Sequence, residues 1–127
     1  SKKYDFLRCN FPNGDMVGHT GSMEATIIGV ESVDIGLARL KKVCDEYGVT
    51  MLVTADHGNA DEMLEKNKKG DVQVRTAHSL NPVPFIIYDK DVKYTIKDGS
   101  YGLSNVAPTV VKMFGLTAPD SWQPSMI

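Results

Sequence analysis

The apolar positions of this chain follow two different periods. Ile27, Val30, Val33, Leu37, Leu40, Cys44 and Tyr47 recur every third or fourth residue. That spacing predicts a long amphipathic helix over 22–47, with the stripe packed on a sheet as core. Glu24 near its start suits the helix dipole, and Gly48 offers a left-handed stop. Met51-Leu52-Val53-Thr54-Ala55 and Val83 to Tyr88 are instead unbroken apolar runs of strand length. Such runs read as strands covered on both faces, although Pro82 and Pro84 suggest an edge or a strand entry for the second.

Further strands are predicted at 5–11, closed by the turn signal Pro12-Asn13-Gly14, at Val72 to Thr76, and as an edge at Val92 to Ile96. A loop is expected from Asp15 to Gly21 and a short helix from Ala60 to Lys66. The last helix should start near Asn105, tolerate Pro108 in its first turn and stop at Gly115. The charge run Glu65-Lys66-Asn67-Lys68-Lys69-Gly70 reads as a solvated turn, with a phosphate-binding patch as the alternative. Strand–helix alternation makes the expected fold class α/β, a mostly parallel sheet with helices on both faces. Three or four strands make a thin sheet, expected for part of a larger domain. The chain also begins without Met and enters a strand at once, as the tail of a longer polypeptide would.

Composition narrows the function classes. An apolar fraction of 42% and a charged fraction of 24% are ordinary for a soluble domain. A net charge of −2 leaves no electrostatic footprint for nucleic acid or an anionic membrane. No stretch approaches the roughly 18 apolar residues of a spanning helix. The basic Ser1-Lys2-Lys3 runs into an alternating segment rather than a signal-peptide apolar region. Cys9 and Cys44 read as small buried hydrophobes in a reducing compartment, not as a disulfide. A cytoplasmic location follows as the expectation.

The candidate chemistry begins at Asp56-His57-Gly58, directly after the apolar run 51–55. Open α/β sheets place their chemistry beyond the carboxyl ends of strands. A carboxylate and an imidazole there are donors for a divalent metal; for the tripeptide alone, a solvated turn is the other reading. His19 lies four residues after Asp15, and His78 sits in Thr76-Ala77-His78-Ser79. Two Asp-His groupings plus His78 supply five ligands: Asp15, His19, Asp56, His57 and His78. Five are too many for one closed tetrahedral site and suit two open ones. Mixed imidazole and carboxylate donors admit manganese, zinc, cobalt or iron.

Three longer strings carry a family resemblance. They are Asn10-Phe11-Pro12-Asn13-Gly14-Asp15-Met16-Val17-Gly18-His19-Thr20-Gly21, Thr54-Ala55-Asp56-His57-Gly58-Asn59-Ala60, and Thr76-Ala77-His78-Ser79-Leu80-Asn81-Pro82-Val83-Pro84-Phe85. In order and over nearly the whole chain they resemble signatures of the cofactor-independent phosphoglycerate mutases, of the alkaline phosphatase superfamily. The resemblance implies that residues 1–127 are the C-terminal segment of a phosphatase-type metal-binding domain. It implies two divalent metals, manganese expected, with Asp15, His19 and His78 on one and Asp56 and His57 on the other. The implied reaction interconverts 3-phosphoglycerate and 2-phosphoglycerate through a phosphoserine.

The nucleophilic serine, a further aspartate ligand and the substrate-positioning arginines of that pattern have no match here. Ser79 adjoins His78 but lies outside the nucleophile motif. The chain alone is therefore expected to be inactive. A phosphopentomutase-like fragment and a non-catalytic metal-binding module are the alternatives. An unpaired sheet edge would also invite self-association.

Overall fold

The computed structural model describes residues 3–75 and 77–127. Ser1, Lys2 and Thr76, the last of which was predicted to end a strand, lie outside the described residues. The elements run α1 (Asn13–Gly18), α2 (Met23–Tyr47), β1 (Met51–Thr54), β2 (Leu64–Lys66), β3 (Val72–Val74), β4 (Phe85–Tyr88), a 3₁₀ turn (Leu103–Asn105) and α3 (Val106–Met113).

The long helix forms as its periodicity predicts, and its ends are chemically marked. Ser22 caps it, its hydroxyl accepting from the amide of Ala25, which satisfies one orphan donor of the first turn. Gly48 closes it at φ 63°, a left-handed conformation glycine adopts without a Cβ penalty. The buried stripe is narrower than expected. Thr26 and Gly29 are buried and Val33, Gly36, Leu37, Leu40 and Cys44 half-buried, whereas Ile27, Val30 and Tyr47 are exposed. Two glycines on that stripe admit close neighbours. A Cβ at Gly29 would touch Val17 of α1 at 3.4 Å, and one at Gly36 would press on the Phe11 ring at 2.9 Å.

The expected mostly parallel sheet is replaced, among the described residues, by two antiparallel pairs, β1 with β4 and β2 with β3. A parallel return needs a crossover element, commonly a helix. The segment predicted to supply one, Ala60 to Lys66, instead contributes β2 to a hairpin. Seven residues are too few to hold a helix without strong packing. Leu64-Glu65-Lys66 pairs with Val74-Gln73-Val72 around a turn in which Asn67 Oδ1 accepts from the amides of Lys69 and Asp71 and Gly70 takes φ 90°. The lysines of the charge run stand exposed on this turn.

Two other predicted strands, 5–11 and 92–96, are irregular. Strand geometry persists only where ladder hydrogen bonds are made, and no described segment pairs with either. The loop predicted at 15–21 instead holds the last four of the six residues of α1.

The register has a consequence for placement. Thr54 pairs with Phe85 and Met51 with Tyr88. The chain therefore leaves β1 and re-enters the sheet at β4 at the same end, the carboxyl end of β1. At the opposite end, Tyr88 donates to Asp45 Oδ1 at 2.6 Å, Lys41 donates to Asp45 Oδ2 at 2.9 Å, and Lys90 donates to the Asp45 carbonyl, tying β4 to α2. Thr50 also donates to Asp89, joining the start of β1 to the end of β4. In the C-terminal region, Thr109 donates to the Asn105 carbonyl and accepts from the amide of Met126, which docks the tail on α3. Cys9 and Cys44 are free thiols. Among the described residues, no helix is long and apolar enough to cross a membrane.

Candidate metal centre

Three segments deliver imidazoles and carboxylates to the carboxyl end of β1. The first is α1, short because Pro12-Asn13-Gly14 opens it and Gly21 at φ 69° follows its end. Asp15 and His19 stand one turn apart and so face the same side. The second is the turn after β1 that carries Asp56 and His57. The third is the stretch around His78.

Asp15, His19 and His78 converge. Asp15 Oδ1 lies 3.2 Å from His19 Nε2 and 3.1 Å from His78 Nε2, and the two Nε2 atoms are 3.3 Å apart. These are near-equal edges of a triangle. A tetrahedral ion bound at about 2.0–2.1 Å needs donor-to-donor edges of about 3.3 Å. Among the described residues, Asp15 Oδ1 is also buried without a well-directed hydrogen bond, although buried carboxylate oxygens are nearly always satisfied. One shared proton serves two of these three atoms at most, whereas a cation serves all three. The donor set fits a divalent metal.

His57 adjoins this cluster without joining it. Its Nδ1 is 4.0 Å from Asp15 Oδ1 and 3.3 Å from its neighbour's carbonyl, Gly58 O. Its ring stacks on that of His78, centroids 3.5 Å apart and planes 9° apart. Asp56 is directed to solvent, its side chain 83% exposed and its Oδ1 3.6 Å from His57 Nε2. The five residues singled out from the sequence thus resolve into a tight trio and an open pair.

Two residues not singled out support the cluster. Asn59 is buried, and its amide nitrogen lies 3.2 and 3.3 Å from the two ring nitrogens of His19. Its amide thus lies within hydrogen-bond distance of either ring nitrogen, while Nε2 also faces Asp15 and His78. Gly18 makes room for it, since a Cβ there would collide with the Asn59 side chain. Asp61 accepts from Ser79 Oγ and from Asn81 Nδ2, each at 2.7 Å. The Ser79 bond, then the Asn81 bond, holds its carboxyl below the usual carboxylate range. Asn59 and Asp61 follow Asp56-His57-Gly58 so closely that their polarity was the available signal, but nothing local distinguishes them from a solvated turn. Ser79 is buried and its proton is committed to Asp61.

The family model described as the Metalloenzyme superfamily matches residues 1–118. A probable 2,3-bisphosphoglycerate-independent phosphoglycerate mutase of Leptospira interrogans is 44% identical over 98% of this chain and 25% of its own length. A 2,3-bisphosphoglycerate-independent phosphoglycerate mutase of Trypanosoma brucei brucei is 42% identical over 100% of this chain and 25% of its own. A crystal structure of Leishmania mexicana phosphoglycerate mutase at low cobalt concentration superposes with a TM-score of 0.89 at 42% identity, over 98% of this chain and 25% of that one. The chain spans about a quarter of the length of these relatives.

Proposed function

The chain belongs to the Metalloenzyme superfamily, and from that membership and its donor cluster we propose that it is the metal-binding part of a 2,3-bisphosphoglycerate-independent phosphoglycerate mutase. Residues 1–127 are then a C-terminal segment of a phosphatase-type domain, and the whole enzyme interconverts 3-phosphoglycerate and 2-phosphoglycerate in the cytoplasm. The observation that carries the reading is the meeting of Asp15, His19 and His78 at edges of 3.1–3.3 Å around an unsatisfied carboxylate oxygen.

In this reading Asp15, His19 and His78 hold one divalent ion, and Asp56 with His57 supplies two ligands of a second. We assign manganese to both. Bound there, such ions lower the pKa of an attacking hydroxyl and neutralise a phosphoryl group in transfer. The residues of this chain bind and orient. The Asp15 carboxylate offsets cationic charge, His19 and His78 present their Nε2 lone pairs, and the His57 ring shields one face of His78 from water. In this reading the phosphoryl-accepting serine is supplied from outside this chain: Ser79 is buried and engaged by Asp61, and the other serines do not match the nucleophile motif.

Calorimetric titration of the complete protein with Mn²⁺ tests the assignment. Asp15→Ala, His19→Ala and His78→Ala should each remove one binding event, and the Asp56→Ala/His57→Ala pair the other. Isotherms matching the wild type would sink it. The chain alone should not convert 3-phosphoglycerate, and turnover that survives rigorous purification would refute its dependence on an external serine. Pentose phosphate conversion by the complete protein would favour the phosphopentomutase alternative.

A further inference from the structure

We propose that Asp61 is a positioning residue for this metal centre, clamping the loop of His57 to the segment of His78 through Ser79. The inference rests on the metal-binding reading above. Asp61 contacts neither imidazole; it acts through what it holds.

Ser79 is 3% exposed, donates its hydroxyl proton to Asp61 Oδ2 at 2.7 Å, and donates its amide to the Gly58 carbonyl at 3.0 Å. Gly58 and Ser79 form an isolated antiparallel bridge. Each is the immediate successor of a histidine, so the bridge sets the spacing of His57 and His78 directly. A Cβ at Gly58 would meet both Ser79 Oγ and the Asp61 carboxylate, so glycine is what lets the three close on one another. Asn81 adds a second donor to the same Asp61 oxygen, and Arg75 holds Glu62 at 3.2 Å beside it. The outcome is the parallel stacking of His57 on His78.

Metal-binding histidines ordinarily have the second ring nitrogen fixed by a carboxylate or carbonyl. Among the described residues, His78 has no such partner. Ring stacking and the Asp61–Ser79–Gly58 clamp are what fix its direction.

The test uses the complete protein with Asp61→Ala, Ser79→Ala and Asp61→Asn, the last keeping an oxygen acceptor. Two quantities are read: the Mn²⁺ affinity and, without metal, the ring-proton NMR shifts that His57 and His78 impose on each other by stacking. Asp61→Ala and Ser79→Ala should lose the ring-current shifts and bind Mn²⁺ about 10–100-fold more weakly, with Asp61→Asn restoring both. A purely structural role would lower the metal-free melting temperature and leave affinity and shifts alone, which overturns the proposal. Movement of only one readout overturns it as well. If Asp61→Ala does not fold, Ser79→Ala decides. His78→Ala is the control: if it binds Mn²⁺ like wild type, the metal reading fails and the ring shifts alone judge the clamp.

Discussion

Replacing Gly18 by alanine adds one methyl group at the point where α1 meets the turn after β1. An alanine Cβ at 18 would stand 2.9 Å from Asn59 Cγ and 3.4 Å from the Ala60 amide nitrogen. Carbon atoms in good contact stand about 3.5–4.0 Å apart, so one side must retreat by about 0.6 Å or more. Asn59 is buried and lies on the His19 ring, so it has little room to retreat alone. The strain passes into α1, which carries Asp15 and His19. Metal sites tolerate about 0.2 Å of error in ligand distance, so the trio should be spoiled.

Metal-free stability should fall by no more than a few kcal/mol. Overpacking costs about 1–3 kcal/mol, offset by up to about 1 kcal/mol from exchanging glycine for alanine in a helix. We expect Mn²⁺ affinity about 10–100-fold weaker by calorimetry, with metal-free stability lowered by roughly 0–3 kcal/mol. Gly14→Ala is the matched control in the same helix, because its Cβ would meet Ala60 Cβ at an ordinary 3.9 Å. It should leave affinity unchanged. A Gly18→Ala protein binding Mn²⁺ within about twofold of wild type, under 0.5 kcal/mol, would refute the coupling of α1 position to the site.

Acid should loosen the far end of the sheet. The Tyr88 hydroxyl, and then Lys41, holds the Asp45 carboxyl below its ordinary 3.8. Thr50, with the amides of Asp91 and Val92, does the same for Asp89. A depressed carboxyl stabilises the fold fully above its ordinary value and loses that contribution as pH falls through its lower folded value. The near-UV tyrosine signal should therefore hold down to about pH 4 and decay below it; a transition completed by about pH 6 would contradict this. Thr109→Val removes both hydrogen bonds at a fully buried hydroxyl and should cost about 1–3 kcal/mol in urea unfolding, whereas a change under about 0.5 kcal/mol would show the tail to be undocked. The chain exposes 9633 Å², against about 6,700 Å² for a compact protein of its 13.9 kDa mass. Alone it should bind a hydrophobic dye and self-associate, and a dye-silent monomer in sedimentation would count against that.

The same surface excess explains which sequence expectations failed. The 22–47 helix was legible because its period, its Ser22 cap and its Gly48 stop are each local signals, acting within a turn or so of where they stand. Its stripe was overestimated because Ile27, Val30 and Tyr47 are apolar yet stay about half exposed, at 50%, 47% and 60%. Hydropathy reports a preference for burial and not the presence of a partner. The 5–11 strand failed for the related reason that a strand is a property of two segments. The antiparallel return of β4 was hidden because Ala60 to Lys66 has a composition that helix and hairpin tolerate alike. Turn chemistry at Asn67 and Gly70, acting with pairing to Val72–Val74, selects the hairpin.

The candidate site divides along another line. Asp15, His19, Asp56, His57 and His78 were legible because imidazole and carboxylate advertise their chemistry wherever they stand. What sets their distances is carried by groups that advertise nothing: the missing Cβ of Gly18 beneath Asn59, and the missing Cβ of Gly58 between Ser79 and Asp61. Gly18 closes against Asn59, 41 positions on, and Gly58 against Ser79, 21 positions on. A ligand can be moved along a sequence and keep its meaning, but a glycine's meaning here depends on what closes against it. Alanine at Gly18 or Gly58 should therefore disable the centre while leaving every donor atom in place.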